Sequence, residues 1–237
     1  MKKIFMIGDS TMQFNNIYAY PQMGWGQVLH LFAKNDVIIE DHAKNGRSSK
    51  SFKEEGLFDV VLSRIQKGDY LICQFGHNDE KLDEERHTIQ NDTYLKHLAY
   101  YREKCEEKGA HVVFATSIAR RLFKDGVCYD SHQGYPQAML KWCNENNYTC
   151  IDLNKMTLDL YNKIGEEEAA KYHMIFPAGV YENYPEGKTD NSHLVLEGAL
   201  MVARFFVKEI SKTNDPIKEC FLDLNEKEEI DQRMLID

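Results

Sequence analysis

The chain has 237 residues, 43% of them hydrophobic and 28% charged, with 14 glycines and 5 prolines, close to average globular usage. That excludes a collagen-like, proline-rich or disordered chain, and no window approaches the roughly 18 to 20 uninterrupted apolar residues that span a bilayer. Lys and Arg number 29 against 38 Asp and Glu, a net charge of −9, so neither nucleic acid nor an acidic membrane surface is an expected partner.

The chain starts with Met1-Lys2-Lys3 and the apolar run Ile4 to Ile7, which reads as a first buried strand and is too short for a secretory signal. Further apolar runs follow at residues 37–39, 69–75, 111–115 and 149–153, each brief enough for a strand covered on both faces. Amphipathic stretches lie between them near 24–34, 50–67, 91–108 and 132–147 and predict helices. This alternation predicts an α/β fold with a five-stranded parallel, doubly wound sheet, in which ligands bind beyond the carboxyl ends of the strands. We expect one domain over residues 1–213, with 214–237 an acidic surface extension of it, to which no function is assigned. The segments 79–92 and 175–189 also exceed what a sheet needs. The cysteines at 73, 105, 128, 143, 150 and 220 are widely spaced with no C-x-x-C, as expected of reduced thiols in a cytoplasmic protein.

Four polar signals stand at or beyond the strand ends. Gly8-Asp9-Ser10-Thr11 follows the first strand, where a Ser opening a helical stretch would sit among backbone N–H groups; the same residues also suit an ordinary turn or N-cap. Asn45-Gly46-Arg47-Ser48 follows the second, where the N–H of Gly46 can approach a ligand unobstructed or simply complete a turn. Gly76-His77-Asn78-Asp79 follows the third, with an Asn amide carrying two donors or serving as a cap. Asp190-Asn191-Ser192-His193 precedes the amphipathic run Leu194 to Ile210, and at a helix N-terminus residues three apart converge. Together these supply a hydroxyl nucleophile, an imidazole base, a carboxylate to hold its tautomer and donors for an oxyanion. A Ser hydroxyl needs such a base, and imidazole, titrating near 6.5 in general, both takes and returns a proton.

These blocks resemble those of the SGNH (GDSL-type) hydrolase superfamily. Gly24-Trp25-Gly26, Asn45-Gly46-Arg47-Ser48, Phe75-Gly76-His77-Asn78-Asp79 and Arg120-Arg121-x-Phe123 further resemble the rhamnogalacturonan acetylesterases, over residues 4 to about 210. The resemblance implies a three-layer α/β/α flavodoxin-like fold with no metal or other cofactor. It implies Ser10 as nucleophile, His193 as base and Asp190 as its orienting carboxylate, with the oxyanion held by Ser10, Gly46 and Asn78. The expected activity is hydrolysis of O-acetyl esters on rhamnogalacturonan (pectin) oligosaccharides through an acetyl-Ser10 intermediate. The chain departs from the family in its tail and in lacking the export signal of many members, which suggests imported oligosaccharides as substrate.

Six cations, Lys44, Arg47, Lys50, Arg120, Arg121 and Lys124, fall in loops at the ligand edge. We expect a basic patch there for a polyanionic saccharide, with Arg47 and Arg121 foremost, the alternative being a solvated charged surface. Tyr181 and Tyr184 are candidates to stack on sugar faces, Trp25 is better placed as core, and His77 is a candidate substrate contact or donor beside Asn78, the alternative being a plain strand-end residue. No H-E-x-x-H or similar metal-ligand spacing occurs. Competing readings are a lipase, lysophospholipase or thioesterase, which would need an apolar acyl groove, and a noncatalytic carbohydrate-binding protein, which would not need Ser10, Asp190 and His193 together. The sequence is silent on oligomeric state.

Overall fold

The computed structural model describes residues 1–224. Its strands are β1 (Lys2–Gly8), β2 (Val37–Asp41), β3 (Tyr70–Gln74), β4 (His111–Ala115), β5 (Phe123–Lys124), β6 (Val127–Cys128), β7 (Cys150–Ile151), β8 (His173–Phe176) and β9 (Lys188–Leu194). Five of them form one parallel sheet in the order β2-β1-β3-β4-β7. After β1 the chain moves outward to β2 and then returns to the other side of β1 for β3. The loops after β1 and β3 therefore leave their strand ends in different directions and open a crevice between them.

Alternate residues of the central strands feed two cores, as the period of two requires. Ile4, Met6, Ile72 and Val113 pack with Trp25, Val202 and Phe206 on one face. Phe5, Ile7, Leu71 and Phe114 pack with Phe58, Leu98 and Met139 on the other. The first face is covered by α1 (Trp25–Val28) and α8 (Leu196–Ile210), the second by α2 (Ser49–Glu54), α3 (Leu57–Arg64), α4 (Leu95–Glu107) and α5 (Tyr135–Glu145).

Several expected elements differ in detail. The stretch 50–67 is two helices interrupted at Gly56. The fifth strand stops at Ile151, because Asp152 caps a helix the periodicity did not suggest, α6 (Leu153–Ile164), accepting from the Lys155 N–H at 3.0 Å. After the short α7 (Glu166–Ala169), β8 and β9 form an antiparallel ribbon outside the main sheet, also unexpected. The expected surface extension begins instead as core: Ile217, Cys220 and Phe221 are buried, Phe221 lies against Phe206, and the Leu222 N–H donates to the Phe32 carbonyl at 2.9 Å. Three apolar side chains within five residues supply enough burial to hold that segment down. The rest of the expected extension, 225–237, lies outside the described residues.

Candidate active site

Ser10 does not open a helix. Asp9, Ser10 and Thr11 form a single turn closed by Met12 and Gln13 N–H groups on the Asp9 carbonyl at 3.2 and 3.1 Å, and the chain then runs on as a strap to α1. The turn is fixed locally because the Asp9 carboxylate accepts from both the N–H and the hydroxyl of Thr11, at 2.9 and 2.8 Å. Below it a chain of buried hydrogen bonds reaches into the core. The Trp25 indole donates to the Gln74 amide oxygen, and the Gln74 amide donates to Thr11 Oγ1, both at 2.7 Å. Trp25, fully buried, is thus both core and brace. Burial pushes the Asp9 carboxyl up from its ordinary range, while the bonds from Thr11 oppose that shift.

Asp190 and His193 converge, but on a strand and not at a helix N-terminus. His173 pairs with Leu194 and Met174 with Asp190, so residues 191–193 bulge out of the ribbon. The Asp190 carboxylate shapes this bulge by accepting the N–H groups of Ser192 and His193 at 2.9 and 3.0 Å. Its other oxygen lies 2.8 Å from His193 Nδ1, and His193 Nε2 lies 2.9 Å from Ser10 Oγ. A carboxylate only accepts, so Nδ1 carries the proton and Nε2 is left to accept from the Ser10 hydroxyl. Burial works against the charge of Asp190, but the bonds from the His193 side chain and the two backbone N–H groups outweigh it and hold the carboxyl well below the usual range.

The Gly46 turn stands beside Ser10. The Lys44 N–H donates to the Gly8 carbonyl at 2.9 Å, and the Arg47 N–H closes the turn on Lys44 at 3.2 Å. Gly46 has φ of +76°, a conformation side chains disfavour, and open space where a Cβ would sit. Asn78 is tied to the same turn through its amide, which donates to the Arg47 carbonyl at 3.1 Å and keeps a second hydrogen to offer. Among the described residues, nothing occupies the N–H of Ser10 or of Gly46. Gly76, at φ of +142° against Ser117 Oγ, lets the chain swing from β3 toward this cluster where a Cβ would collide at 2.3 Å.

Behind Asn78 lies a buried polar layer whose roles the sequence did not suggest. The Asp79 carboxylate accepts from the N–H and hydroxyl of Ser49 and the hydroxyl of Thr88, joining the start of α2 to the loop after β3. Burial pushes Asp79 up to about 7 against these bonds. Glu80 pairs with Arg120, which also donates to the His77 carbonyl at 3.2 Å and to Ser131 Oγ at 3.0 Å. His132 donates through Nε2 to the Ile118 carbonyl and stands edge-on to His77, ring centres 4.5 Å apart. Burial, then the neighbouring His132 and Arg120, hold the His77 imidazole well below its ordinary pKa, so it is neutral at pH 7. Arg86, on the charged loop, reaches the Asn78 amide oxygen at 3.5 Å and is gripped by Asp83.

The expected basic patch is largely consumed internally. Arg47 is paired with Glu55, Arg120 with Glu80, and Arg121 donates to the Glu166 carbonyl and to Asn191 Oδ1. Lys50 reaches the Glu84 carbonyl, while Lys44 and Lys124 are exposed. Arg121 therefore supports the bulge that carries His193. Tyr181 and Tyr184 lie on the 177–187 loop between β8 and β9, both in edge contact with Phe176. Among the described residues no group of three His, Cys, Asp or Glu is arranged to hold a metal ion, and no helix is long and apolar enough to cross a membrane.

No protein-family model matches the chain. It is, however, 36% identical over 234 residues to the rhamnogalacturonan acetylesterase RhgT of Bacillus subtilis, covering 97% of this chain and all of that one. The chain belongs to the rhamnogalacturonan acetylesterase family. A second relative, the probable rhamnogalacturonan acetylesterase YesY of the same organism, is 34% identical, with 92% of this chain and 97% of that one covered. Among solved structures, the crystal structure of Bacillus subtilis YxiM superposes with a TM-score of 0.74 at 25% identity, covering 89% of this chain and 56% of that longer one.

Proposed function

We propose that the chain is a serine esterase removing O-acetyl groups from rhamnogalacturonan oligosaccharides through an acetyl-Ser10 intermediate. The observation that carries this reading is the continuous line Asp190, His193, Ser10, with contacts of 2.8 and 2.9 Å. Ser10 Oγ attacks the acetyl carbonyl carbon as its proton passes to His193 Nε2. The carbonyl oxygen, now an oxyanion, is met by the N–H groups of Ser10 and Gly46 and the amide of Asn78, each worth about 3 kcal/mol in the transition state. Collapse breaks the bond to the sugar oxygen, which takes the proton from His193 and leaves as a free hydroxyl. Water then attacks acetyl-Ser10, His193 accepts its proton and returns it to Ser10 Oγ, and acetate departs. Asp190, ionised throughout, steadies the imidazolium of both halves.

Membership in a family of carbohydrate acetylesterases supports the acetyl group and the saccharide. We also place the enzyme in the cytoplasm, which its six free cysteines, five of them buried, favour. The deciding experiment follows acetate release from acetylated rhamnogalacturonan oligosaccharides, acetylated xylan and nitrophenyl esters of rising chain length. Ser10→Ala should lower kcat by about 10⁴-fold or more; a variant as active as the wild type would end the catalytic assignment. Preference for octanoate over acetate would end the sugar-ester reading.

A further inference from the structure

The strap that leaves Ser10 and the loop that leads to Asp190 meet again away from the reacting groups. At its near end the strap is held to the Gly46 turn, where Gln13 Oε1 accepts the Asn45 N–H. At its far end the Asn183 amide donates to the carbonyls of Ile17 and Tyr20, both at 2.9 Å. At this far anchor the two segments line an open groove of about 420 Å³, formed by Ile17, Tyr18, Tyr20, Val180, Tyr181 and Asn183, with Glu182 as its charged member. Its rings are held out to solvent: Tyr18 is 82% and Tyr20 49% exposed, and Tyr20 meets Tyr181 edge-to-face at 5.6 Å.

Exposed aromatic side chains gathered in a groove mark a binding surface more often than scattered apolar residues do. Each of these rings pairs an apolar face with a hydroxyl tip, which suits the face of a pyranose with its C–H groups inward and hydroxyls outward. No cation lines the groove and its one charge is negative, which disfavours a uronate or an acidic lipid headgroup. The seven residues from Ser10 to Ile17 span at most about 25 Å, which sets the upper limit on the separation of groove and ester.

We propose that this groove is a subsite for an uncharged pyranose unit of the same saccharide whose acetyl group is cleaved at Ser10. The proposal rests on the sugar-ester reading above. It makes the aromatic strap a measure of substrate length, adding affinity for longer chains at a distance from the ester.

The test compares kcat/KM on an acetylated rhamnogalacturonan disaccharide, longer acetylated oligosaccharides and 4-nitrophenyl acetate. For the wild type the ratio of long to short saccharide should exceed one. Tyr18→Ala and Tyr181→Ala should cut that ratio about tenfold, through KM, the loss of one well-placed ring contact. Tyr181→Phe, which keeps the ring, should restore it. Tyr18 is mostly solvated, so its truncation reports on the groove even if Tyr181→Ala folds poorly. A ratio that neither alanine variant moves overturns the subsite while leaving the esterase reading standing. Wild-type cleavage of nitrophenyl acetate without acetate release from any saccharide overturns both. A wild-type dimer that Tyr18→Ala dissociates, with the ratio unmoved, assigns the groove to a second copy of the chain and overturns the sugar.

Discussion

The supports of Asn78 and of His193 are of unlike construction. On the Asn78 side, Glu80 and Arg120 keep only 6% and 13% of their side-chain surface exposed, and Asp79 is wholly buried with its bonds to Ser49 and Thr88. On the other side, Asp190 and His193 retain 21% and 27% and ride on a two-stranded ribbon outside the main sheet. The difference fits the work of each support. In the mechanism proposed above the Asn78 amide meets an oxyanion, and such donors act only if they are already oriented before charge develops, which suits a support that is charged, buried and cross-linked. In that mechanism the imidazole passes a proton to a leaving sugar, which suits a mount nearer to solvent.

That contrast predicts unequal responses. Asp190→Asn presents an amide to Nδ1 and disfavours the tautomer that accepts from Ser10, so kcat should fall about 10⁴-fold, with a lower melting temperature at pH 7 because the ionised carboxylate that the fold stabilises is gone; a fall in kcat under tenfold would mean that the bulge itself orients the ring. Arg120→Ala leaves the Glu80 carboxylate buried without its partner and should cost about 3–5 kcal/mol in denaturant unfolding. If the loss were within about 0.5 kcal/mol, as for an ordinary surface substitution, the Asn78 support would not be braced as described. Asn78→Ala should lower kcat about 10²–10³-fold while changing KM little, because the amide acts on the transition state. Equal losses in affinity and rate would make Asn78 a substrate clamp.

The smallest effect is one of pH. In the folded chain Asp79 titrates at about 7 against 3.8 for a free carboxyl, so the folded state binds the proton more tightly than the unfolded one. Its contribution to stability therefore falls as pH rises between these values and is least favourable above 7. Asp79→Asn mimics the protonated form, and the variant's melting temperature should gain on the wild type between pH 5 and pH 8. A difference that is flat with pH would mean that Asp79 is ionised throughout, held by Ser49 and Thr88.

The sheet was legible because its strands are buried on both faces and so read as unbroken apolar runs. The grouping of Ser10, Gly46, Asn78, Asp190 and His193 was legible as motifs placed beyond strand ends. The ribbon that carries His193 was not, since Lys188–Leu194 is polar and lacks alternation, its shape being set by one carboxylate folding back on two N–H groups. Helix α6 was hidden because its cap, Asp152, sits inside an apolar run that also suited a strand. Glu80 and Arg120 are 40 residues apart, and nothing local marks either as the other's partner. The internal partners of the six cations were hidden for the same reason: charges can be counted along a chain, but their counter-ions are chosen by the fold.

The hydroxyl and the imidazole stand 183 positions apart, one near the start of the chain and one past its four-fifths mark. A nascent polypeptide therefore cannot bring the two groups together until residue 193 and the β9 strand that carries it have left the ribosome. Turnover of a chromogenic ester becomes a direct gauge of completed folding, and amino- and carboxyl-terminal halves expressed separately would report their reassembly by regaining it.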